Sequence, residues 1–252
     1  MDKLLRVATK AGQVILMCGA ETYRVEETIV KICQAYHVEE ANAFVLPTGV
    51  FVTVVHEGKT HSLNVRINKR STNLNMIDAV NKLARSIQND PISLEELDRK
   101  LDEIIKAPKY PWYIVDLFAG IGTFGFAFFF GGDFKDALCS FVTGCLVKVI
   151  VDYLESFDVS SFIYNGVGGF FITLMAYLSC QFSLGTSADT IIIATIMLLV
   201  PGVCITNAVR DSLAGDLVSG IARAVEAILI ATSIALGAGV AVSVIRLLGG
   251  VM

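Results

Sequence analysis

The chain has 252 residues, of which 54% are hydrophobic and 17% charged, and its mean hydropathy is +0.64. Soluble globular proteins carry about a quarter charged residues, so this composition excludes a purely soluble enzyme, a disordered chain and a collagen-like repeat. Residues 1–109 hold 15 of the 20 Lys and Arg and 14 of the 24 Asp and Glu, a net charge of +1, whereas residues 110–252 carry −5. The sequence therefore predicts a polar domain over 1–109 and a membrane domain over 110–252.

The cysteines and basic residues do not show the spacing of a metal, redox or nucleic-acid site. The six cysteines form no CxxC pair and no cluster with histidine, so we expect no disulfide framework, metal site or cofactor. No basic stripe indicates a nucleic-acid partner. The N-terminus lacks the apolar core of a signal peptide, which predicts that residues 1–109 stay in the cytosol.

Residues 1–109 carry both helical and strand patterns, which predict a small α+β domain. Helices are expected over residues 4–18, Glu21–Tyr36, Leu74–Gln88 and 93–106, the last opened by a capping box. Strands are expected over Asn42–Leu46, Val50–Val55 and Thr60–Ile67, with a Glu57-Gly58 turn between the last two.

Candidate catalytic side chains in this domain belong to no known motif. They are Cys18, Glu21, Glu26, His56, His61 and Ser62. None has the spacing of a GxSxG, Walker or HExxH motif, and the histidines flank a hairpin turn, where such side chains are usually solvated. We predict that the chain is not an enzyme, with a membrane-tethered hydrolase as an alternative.

Five windows after residue 109 are long and apolar enough to cross a membrane, which takes about 20 residues. They are Pro111–Gly132, Phe134–Leu154, Phe162–Phe182, Ala188–Val209 and Ala227–Ile245. Positive charges concentrate just before the first window, at Arg99, Lys100, Lys106 and Lys109, which predicts a cytoplasmic approach. The predicted fold is thus an α+β cytosolic N-terminal domain followed by a five-span α-helical bundle in the cell membrane, with Met252 outside.

Small residues recur at helical spacing in three of these windows. The fifth window carries Ala231, Ala235, Gly239 and Ser243, and two others carry Gly120, Gly122 and Gly125, and Gly166, Gly168 and Gly169. Such stripes allow close approach of helix backbones. They indicate either packing within the chain or contact with a second membrane subunit, including a second copy.

Isolated polar residues within the windows are interpreted as structural. Lys148 and Asp152 are four residues apart and can form an ion pair on one helix face. Asp116 lies one turn into the first window and is expected at headgroup level. Asn165, at the start of the third window, is expected to be a helix cap rather than a pathway residue.

Residues 201–227 are the most informative stretch. Pro201 and Gly202 predict a break in the fourth helix, because proline removes a backbone donor and clashes with the preceding turn. Polar side chains follow at helical spacing, and charges near lipid are expected to face a bundle interior or a watery cavity. The candidate solute or proton pathway comprises Asn207, Arg210, Asp211, Asp216, Arg223 and Glu226. An ordinary cytoplasmic loop whose Arg and Asp pair in solvent is the alternative.

Three strings resemble a known family. They are AGQVILMCGAETYRVEETIVKIC, FVLPTGVFVTV and the polar segment from Pro201 to Ala227. Together they resemble the threonine/serine exporter (ThrE) family, and the chain length resembles its separate YjjP-type component. The resemblance implies export of threonine, serine or succinate together with a small YjjB-type membrane subunit. It supplies no binding residues for this chain.

The predicted function is that of half of a secondary exporter of small hydrophilic metabolites. Arg210 or Arg223 would bind a solute carboxylate. Asp211, Asp216 or Glu226 would meet an ammonium group or exchange a proton. A regulatory subunit whose partner forms the pore is a further alternative.

Overall fold

A computed structural model of the chain describes residues 1–108, 110–157 and 159–247, arranged in two compact units. The first unit consists of residues 1–108 together with residues 202–225. The second consists of the described residues between 110 and 201 and between 226 and 247. The boundary predicted at Lys109 and the chain end predicted outside at Met252 lie outside the described residues.

The N-terminal part of the first unit is a mixed helical and strand structure, as the sequence predicts. Its helices are α1 (Asp2–Met17), α2 (Thr22–Ala35), α3 (Leu74–Asn89) and α4 (Leu94–Lys106). Its strands are β1 (Glu40–Leu46), β2 (Gly49–His56) and β3 (Lys59–Arg66). The predicted elements are confirmed, with ends that differ by a few residues.

The three strands form one antiparallel sheet in the order β1-β2-β3. The β2–β3 hairpin turns at Glu57 and Gly58, which both have positive φ and lie between the paired residues His56 and Lys59. Two consecutive residues with positive φ are typical of the hairpin turn that matches strand twist. Val50, Val52 and Val54 on β2 are buried because alternate residues of a strand point to one face.

The core of this unit lies where the sheet meets α1 and α2. Its largest fully buried side chains include Ile15 and Leu16 of α1 and Ile29 and Ile32 of α2. Helix α4 is attached to α1 through Lys10, whose Nζ lies 2.6 Å and 2.7 Å from carboxylate oxygens of Asp98 and Asp102.

The rest of the chain is helical. Its helices are α5 (Trp112–Phe129), α6 (Phe134–Ser156), α7 (Ser161–Gln181), α8 (Ala188–Ile196), α9 (Gly202–Leu213) and α10 (Leu217–Leu247). In the described part of the chain, four helices are long and apolar enough to cross a membrane, namely α5, α6, α7 and α10. The prediction of a helical transmembrane bundle is supported to that extent.

The prediction of five spans is not confirmed. The fourth window, in which Pro201 and Gly202 predict a break, is interrupted. Helix α8 has nine residues and ends at Ile196, a turn follows, and α9 begins only at Gly202. Pro201 lies in this interruption, where its missing N–H needs no partner. Helix α9 then packs in the first unit, so residues 188–209 do not form one continuous helix.

Helices α5 and α6 run antiparallel. The hydroxyl of Thr123 on α5 donates to the carbonyl oxygen of Ser140 on α6 at 2.8 Å. One turn or more away, the thiol of Cys145 contacts the carbonyl oxygen of Asp116 at 3.4 Å. The beginning of α5 and the end of α6 therefore lie at the same end of the bundle.

The contact between α7 and α10 depends on glycine. A Cβ atom at Gly237 would overlap the carbonyl oxygen of Gly166, and one at Gly169 would lie 3.1 Å from the carbonyl carbon of Ile234. Small residues permit such backbone contact between membrane helices. The glycines of the third window therefore pack against another helix of the same chain.

Candidate functional site

The polar segment after Pro201 folds onto the N-terminal part of the first unit. Helix α9 and the beginning of α10 lie against the link between α1 and α2 and the start of α2. Five of the six predicted pathway residues belong to this unit, and Glu226 belongs to the second.

A buried ion pair lies at the centre of this contact. Arg223 Nε is 2.9 Å from Asp211 Oδ2, and the two side chains are 4% and 0% exposed. The backbone N–H of Thr22 donates to Asp211 Oδ1 at 3.1 Å, and Arg223 Nη2 donates to the carbonyl oxygen of Ala20 at 2.7 Å. The Thr22 N–H thus satisfies Asp211 Oδ1, whereas Oδ2 lies at ion-pair distance from Arg223 Nε without an aligned hydrogen bond.

A second group of charges lies at Glu21, which precedes α2. Its Oε1 accepts from Arg210 Nη1, and its Oε2 is 2.9 Å from Arg24 Nε. Burial alone would raise the pKa of Glu21, but a hydrogen bond from its own backbone N–H and the two guanidinium groups together lower it. We call Glu21, Arg210, Asp211 and Arg223 the ionic network.

Two further predicted residues hold the same link. The side-chain amide of Asn207 donates to the carbonyl oxygen of Gly19 at 2.7 Å. The Thr22 hydroxyl donates to Asp216 Oδ2 at 3.2 Å. Asn207 is buried, so its amide donates the hydrogen bond that water would otherwise give to the Gly19 carbonyl oxygen, which lies between α1 and α2.

Glu26 is a member of this site that the sequence did not identify as one. Its carboxylate accepts the backbone N–H of Val45 at 2.8 Å. Burial raises the pKa of Glu26, the Val45 N–H opposes the shift, and the charges of Asp216 and Asp211 add to it. Sequence reasoning missed this role because Val45, Asp211 and Asp216, which act on Glu26, are distant from it in the sequence.

The second unit contains a cavity of about 260 Å³ at the end of the bundle where α6 ends and α7 begins. Its polar lining comprises Lys148, Asp152, Glu155, Tyr164 and Asn165, and its apolar lining comprises Val151, Leu198, Leu199, Pro201 and Ile230. The sequence did not predict this cavity, because its walls come from four separate stretches of the chain.

The structure around this cavity tests two predictions made from the sequence, the Lys148–Asp152 ion pair and the Asn165 cap. The predicted ion pair is confirmed, since Lys148 Nζ donates to Asp152 Oδ1. The prediction of Asn165 as a cap is wrong, because Ser160 is the N-cap of α7 and the Asn165 amide donates to the Ser161 carbonyl oxygen at 2.8 Å. Asp116 lies close enough to interact electrostatically with Lys148 and Asp152.

The candidate catalytic side chains make separate contacts. His61 Nδ1 is 3.1 Å from Asp2 Oδ1, and the Ser62 hydroxyl is 2.9 Å from that of Thr53. Cys18 contacts the sulfur of Met76. None of these contacts pairs a nucleophile with a base. Within residues 1–108, 110–157 and 159–247, no cluster of three or more His, Cys, Asp or Glu could hold a metal ion.

Comparison with known proteins identifies relatives over nearly the whole chain. The family model ThrE, described as "Putative threonine/serine exporter", matches residues 6–245. The "Threonine/serine exporter" of Corynebacterium glutamicum is 26% identical over 97% of this chain and 52% of that protein. The "Probable succinate transporter subunit YjjP" of Escherichia coli (strain K12) is 22% identical over 98% of this chain and 96% of that protein.

The chain thus spans about half the length of the Corynebacterium relative. The "Probable succinate transporter subunit YjjP" of Klebsiella aerogenes is 21% identical over 97% of this chain and 95% of its own length. No solved structure matches the chain.

Proposed function

Because the chain belongs to the threonine/serine exporter family, we propose that it is a component of a secondary exporter of small hydrophilic metabolites. The family match over residues 6–245 is the observation that carries this proposal. Relatives are named for threonine and serine or for succinate, so the proposed solutes are these amino acids or a succinate-type dicarboxylate. The family is one of exporters, not enzymes.

We place the protein in the cell membrane as a multi-pass protein whose N-terminal domain faces the cytoplasm. The four long apolar helices support a membrane location. Arg99, Lys100 and Lys106 precede α5, and an excess of positive charge beside a span is typical of the cytoplasmic side. The proposed partners are therefore lipid, a small solute and a membrane protein, with no role for nucleic acid.

The proposed protein partner is a YjjB-type membrane subunit. Two relatives that the chain covers over 95% and 96% of their length are named transporter subunits. The small residues Ala231, Ala235, Gly239 and Ser243 of α10 are exposed, and a Cβ atom at Gly239 would meet nothing within 4 Å. This stripe offers a close-packing surface to a neighbouring helix, from that subunit or from a second copy.

The pathway residues predicted from the sequence remain our proposal for the moving, proton-linked part of the exporter. Arg210 and Arg223 are already paired with carboxylates, so a solute carboxylate would have to replace Glu21 or Asp211. We propose that the ionic network opens and closes during export. Glu26 and Asp216 would exchange the proton, because the raised pKa of Glu26 favours proton uptake beside two other acids.

Glu226 and the Pro201-Gly202 break complete the proposed pathway. Glu226 lies near enough to Tyr164 to act on it electrostatically, and Pro201 lines the cavity of the second unit. Interrupted helices are a common place for solute and ion sites in transporters.

Efflux from cells tests the proposed function. Cells that express the chain with and without a YjjB-type subunit would be loaded with labelled threonine, serine or succinate. We expect efflux of at least one solute, and more of it when the partner is present. If none of the three leaves the cells faster than from cells without the chain, the solute assignment fails.

One observation favours a regulatory subunit as the second candidate function. Asp211 is fully buried and paired, which suits a structural contact as well as a pathway. In that case the partner forms the pore, and Arg210→Ala and Asp216→Ala leave export intact. Loss of export by these variants, at a normal amount of protein in the membrane, favours the exporter component.

A further inference from the structure

We propose that the cavity of the second unit is a binding site for a zwitterionic amino acid, with Lys148 recognising its carboxylate and Asp152, Glu155 and Asn165 its ammonium or hydroxyl group. This inference rests on the proposed export function and adds the location and charge type of the solute. Five of the six predicted pathway residues belong to the other unit, and the sixth, Glu226, does not line this cavity.

The size of the cavity suits a small metabolite. Its volume of about 260 Å³ lies just below the range of roughly 300–1,000 Å³ that is usual for drug-sized ligands. The apolar side chains of Val151, Leu199 and Ile230 form part of its wall. They can contact a short aliphatic side chain, while the polar groups face the charged end of the molecule.

The charges around the cavity favour a zwitterion over a dicarboxylate. One cation, Lys148, and two acids, Asp152 and Glu155, line it, so its formal charge is −1. An amino acid is neutral overall and presents both signs, whereas succinate would bring two negative charges beside two carboxylates. Like charges placed together in one small cavity repel each other, which gives the site its selectivity.

Lys148 retains the capacity to bind a second carboxylate. Its ammonium has three donors, and Asp152 uses one of them. The side chains of Lys148 and Asp152 are 25% and 44% exposed, so a solute can reach both. This ion pair therefore offers one charge of each sign at an accessible position.

Asn165 is a buried polar group with an unused acceptor. Its side chain lines the cavity although the residue is only 6% exposed. The amide nitrogen donates to the Ser161 carbonyl oxygen, but the amide oxygen accepts no hydrogen bond within the part of the chain that the structure describes. This acceptor is available to an ammonium or hydroxyl group of a solute in the cavity.

The position of the cavity suits the loading step of an exporter. It lies at the end of the bundle where α6 ends, and α6 runs antiparallel to α5. In the orientation proposed above, the beginning of α5 is cytoplasmic. The cavity would then face the compartment from which an exporter takes its solute.

Equilibrium binding to the purified full-length chain in detergent tests this inference. Labelled threonine, serine and succinate would be offered to the wild type, Lys148→Met, Lys148→Arg and Asn165→Leu. We expect threonine or serine to bind more tightly than succinate. Lys148→Met and Asn165→Leu should weaken amino-acid binding about tenfold or more, because each removes a polar contact to a charged or hydroxyl group, and Lys148→Arg should retain most of it.

Lys135→Met is the matched control, because it removes a cation from the other end of the same helix, where Lys135 is exposed. It should bind like the wild type. Unchanged binding by Lys148→Met and Asn165→Leu, tighter binding of succinate than of amino acids, or no binding by the wild type would each overturn the inference. Folding of each variant is verified by its helicity and elution volume.

The efflux experiment is independent of this outcome. Wild-type binding that depends on Lys148, without efflux from cells, would support the site and reject the proposed function. Efflux of an amino acid that Lys148→Met and Asn165→Leu leave unchanged would reject the site and support the function.

Discussion

The ionic network and the cavity use similar side chains in opposite ways. In the ionic network, Asp211 and Arg223 are almost fully buried, lie at ion-pair distance from each other, and make further hydrogen bonds to the backbone of Thr22 and Ala20. In the cavity, Lys148 and Asp152 are partly exposed and keep unused hydrogen-bonding capacity. Charged side chains buried among partners from the same protein hold chain segments together. Accessible charged side chains with unused hydrogen-bond donors or acceptors can bind a solute.

The comparison suggests a division of labour within the proposed exporter. The cavity would select the solute, and the ionic network, with Glu26 beside it, would respond to protons and to conformational change. The stability of variants should therefore separate the two regions before transport is measured.

The largest effect is expected when the buried ion pair is broken. Asp211→Ala leaves Arg223 buried without its carboxylate, which should lower the free energy of unfolding by about 3–5 kcal/mol. Denaturant unfolding of the full-length chain in mixed micelles measures this loss. Asp78→Ala is the control, because the Lys82–Asp78 pair is exposed and should contribute little. Equal stability of the two variants would mean that the Arg223–Asp211 ion pair is not formed in the folded protein.

The two faces of α10 provide a similar contrast. A methyl group at Gly237 would overlap the Gly166 carbonyl group, whereas one at Gly239 would meet nothing. Gly237→Ala should therefore lower the free energy of unfolding by about 2 kcal/mol, and Gly239→Ala should not. Thermal unfolding of the two variants tests this, and a destabilised Gly239→Ala with a normal Gly237→Ala would reverse our assignment of the packed face.

The two glutamates beside the polar segment should respond to pH with opposite signs. The lowered pKa of Glu21 means that its stabilisation is present above the ordinary carboxyl pKa and is lost as pH falls through the lowered folded-state value. Glu21→Gln should therefore cost roughly 1–2 kcal/mol at neutral pH and less in acid.

The raised pKa of Glu26 has the reverse consequence. Its contribution is present below the ordinary carboxyl pKa and is lost as pH rises through the raised folded-state value. Glu26→Gln should be at least as stable as the wild type at neutral pH, with the difference shrinking in acid. Unfolding midpoints measured from about pH 3, below the ordinary carboxyl pKa, to pH 7.5 compare the variants, and parallel pH profiles for both would be inconsistent with this site.

The smallest effect on stability is expected in the cavity. Lys148→Met removes one partner of a partly exposed pair, so the free energy of unfolding should change by less than about 1 kcal/mol. The same unfolding measurement tests this. A loss as large as that of Asp211→Ala would make Lys148 a structural residue and remove the distinction between the two regions.

Local patterns in the sequence predicted the local structure well. The Glu57-Gly58 turn and the Lys148–Asp152 pair follow from residues close in sequence, and both are present. The interruption after α8 has a local cause in Pro201, at which the sequence predicts a break. A hydropathy window measures apolar content rather than helical continuity, so residues 188–209 still qualify as a span by composition alone.

Contacts between distant segments could not be predicted in this way. Arg210 and Glu21 are 189 residues apart, and nothing in either local pattern specifies the other. The position of Asn165 near a helix start favours a cap, whereas most of the neighbours that make it part of a cavity come from other segments of the chain. Periodicity identifies which face of a helix is polar, but it does not identify what that face contacts.

Transport kinetics of the chain reconstituted with a YjjB-type subunit test the division of labour most directly. The apparent KM for threonine and the dependence of export on a proton gradient would be compared for Lys148→Met and Asp216→Asn. The account predicts that Lys148→Met raises the KM and keeps the proton dependence, while Asp216→Asn keeps the KM and weakens the proton dependence. Full proton-gradient dependence in Asp216→Asn, or an unchanged KM in Lys148→Met, would contradict it.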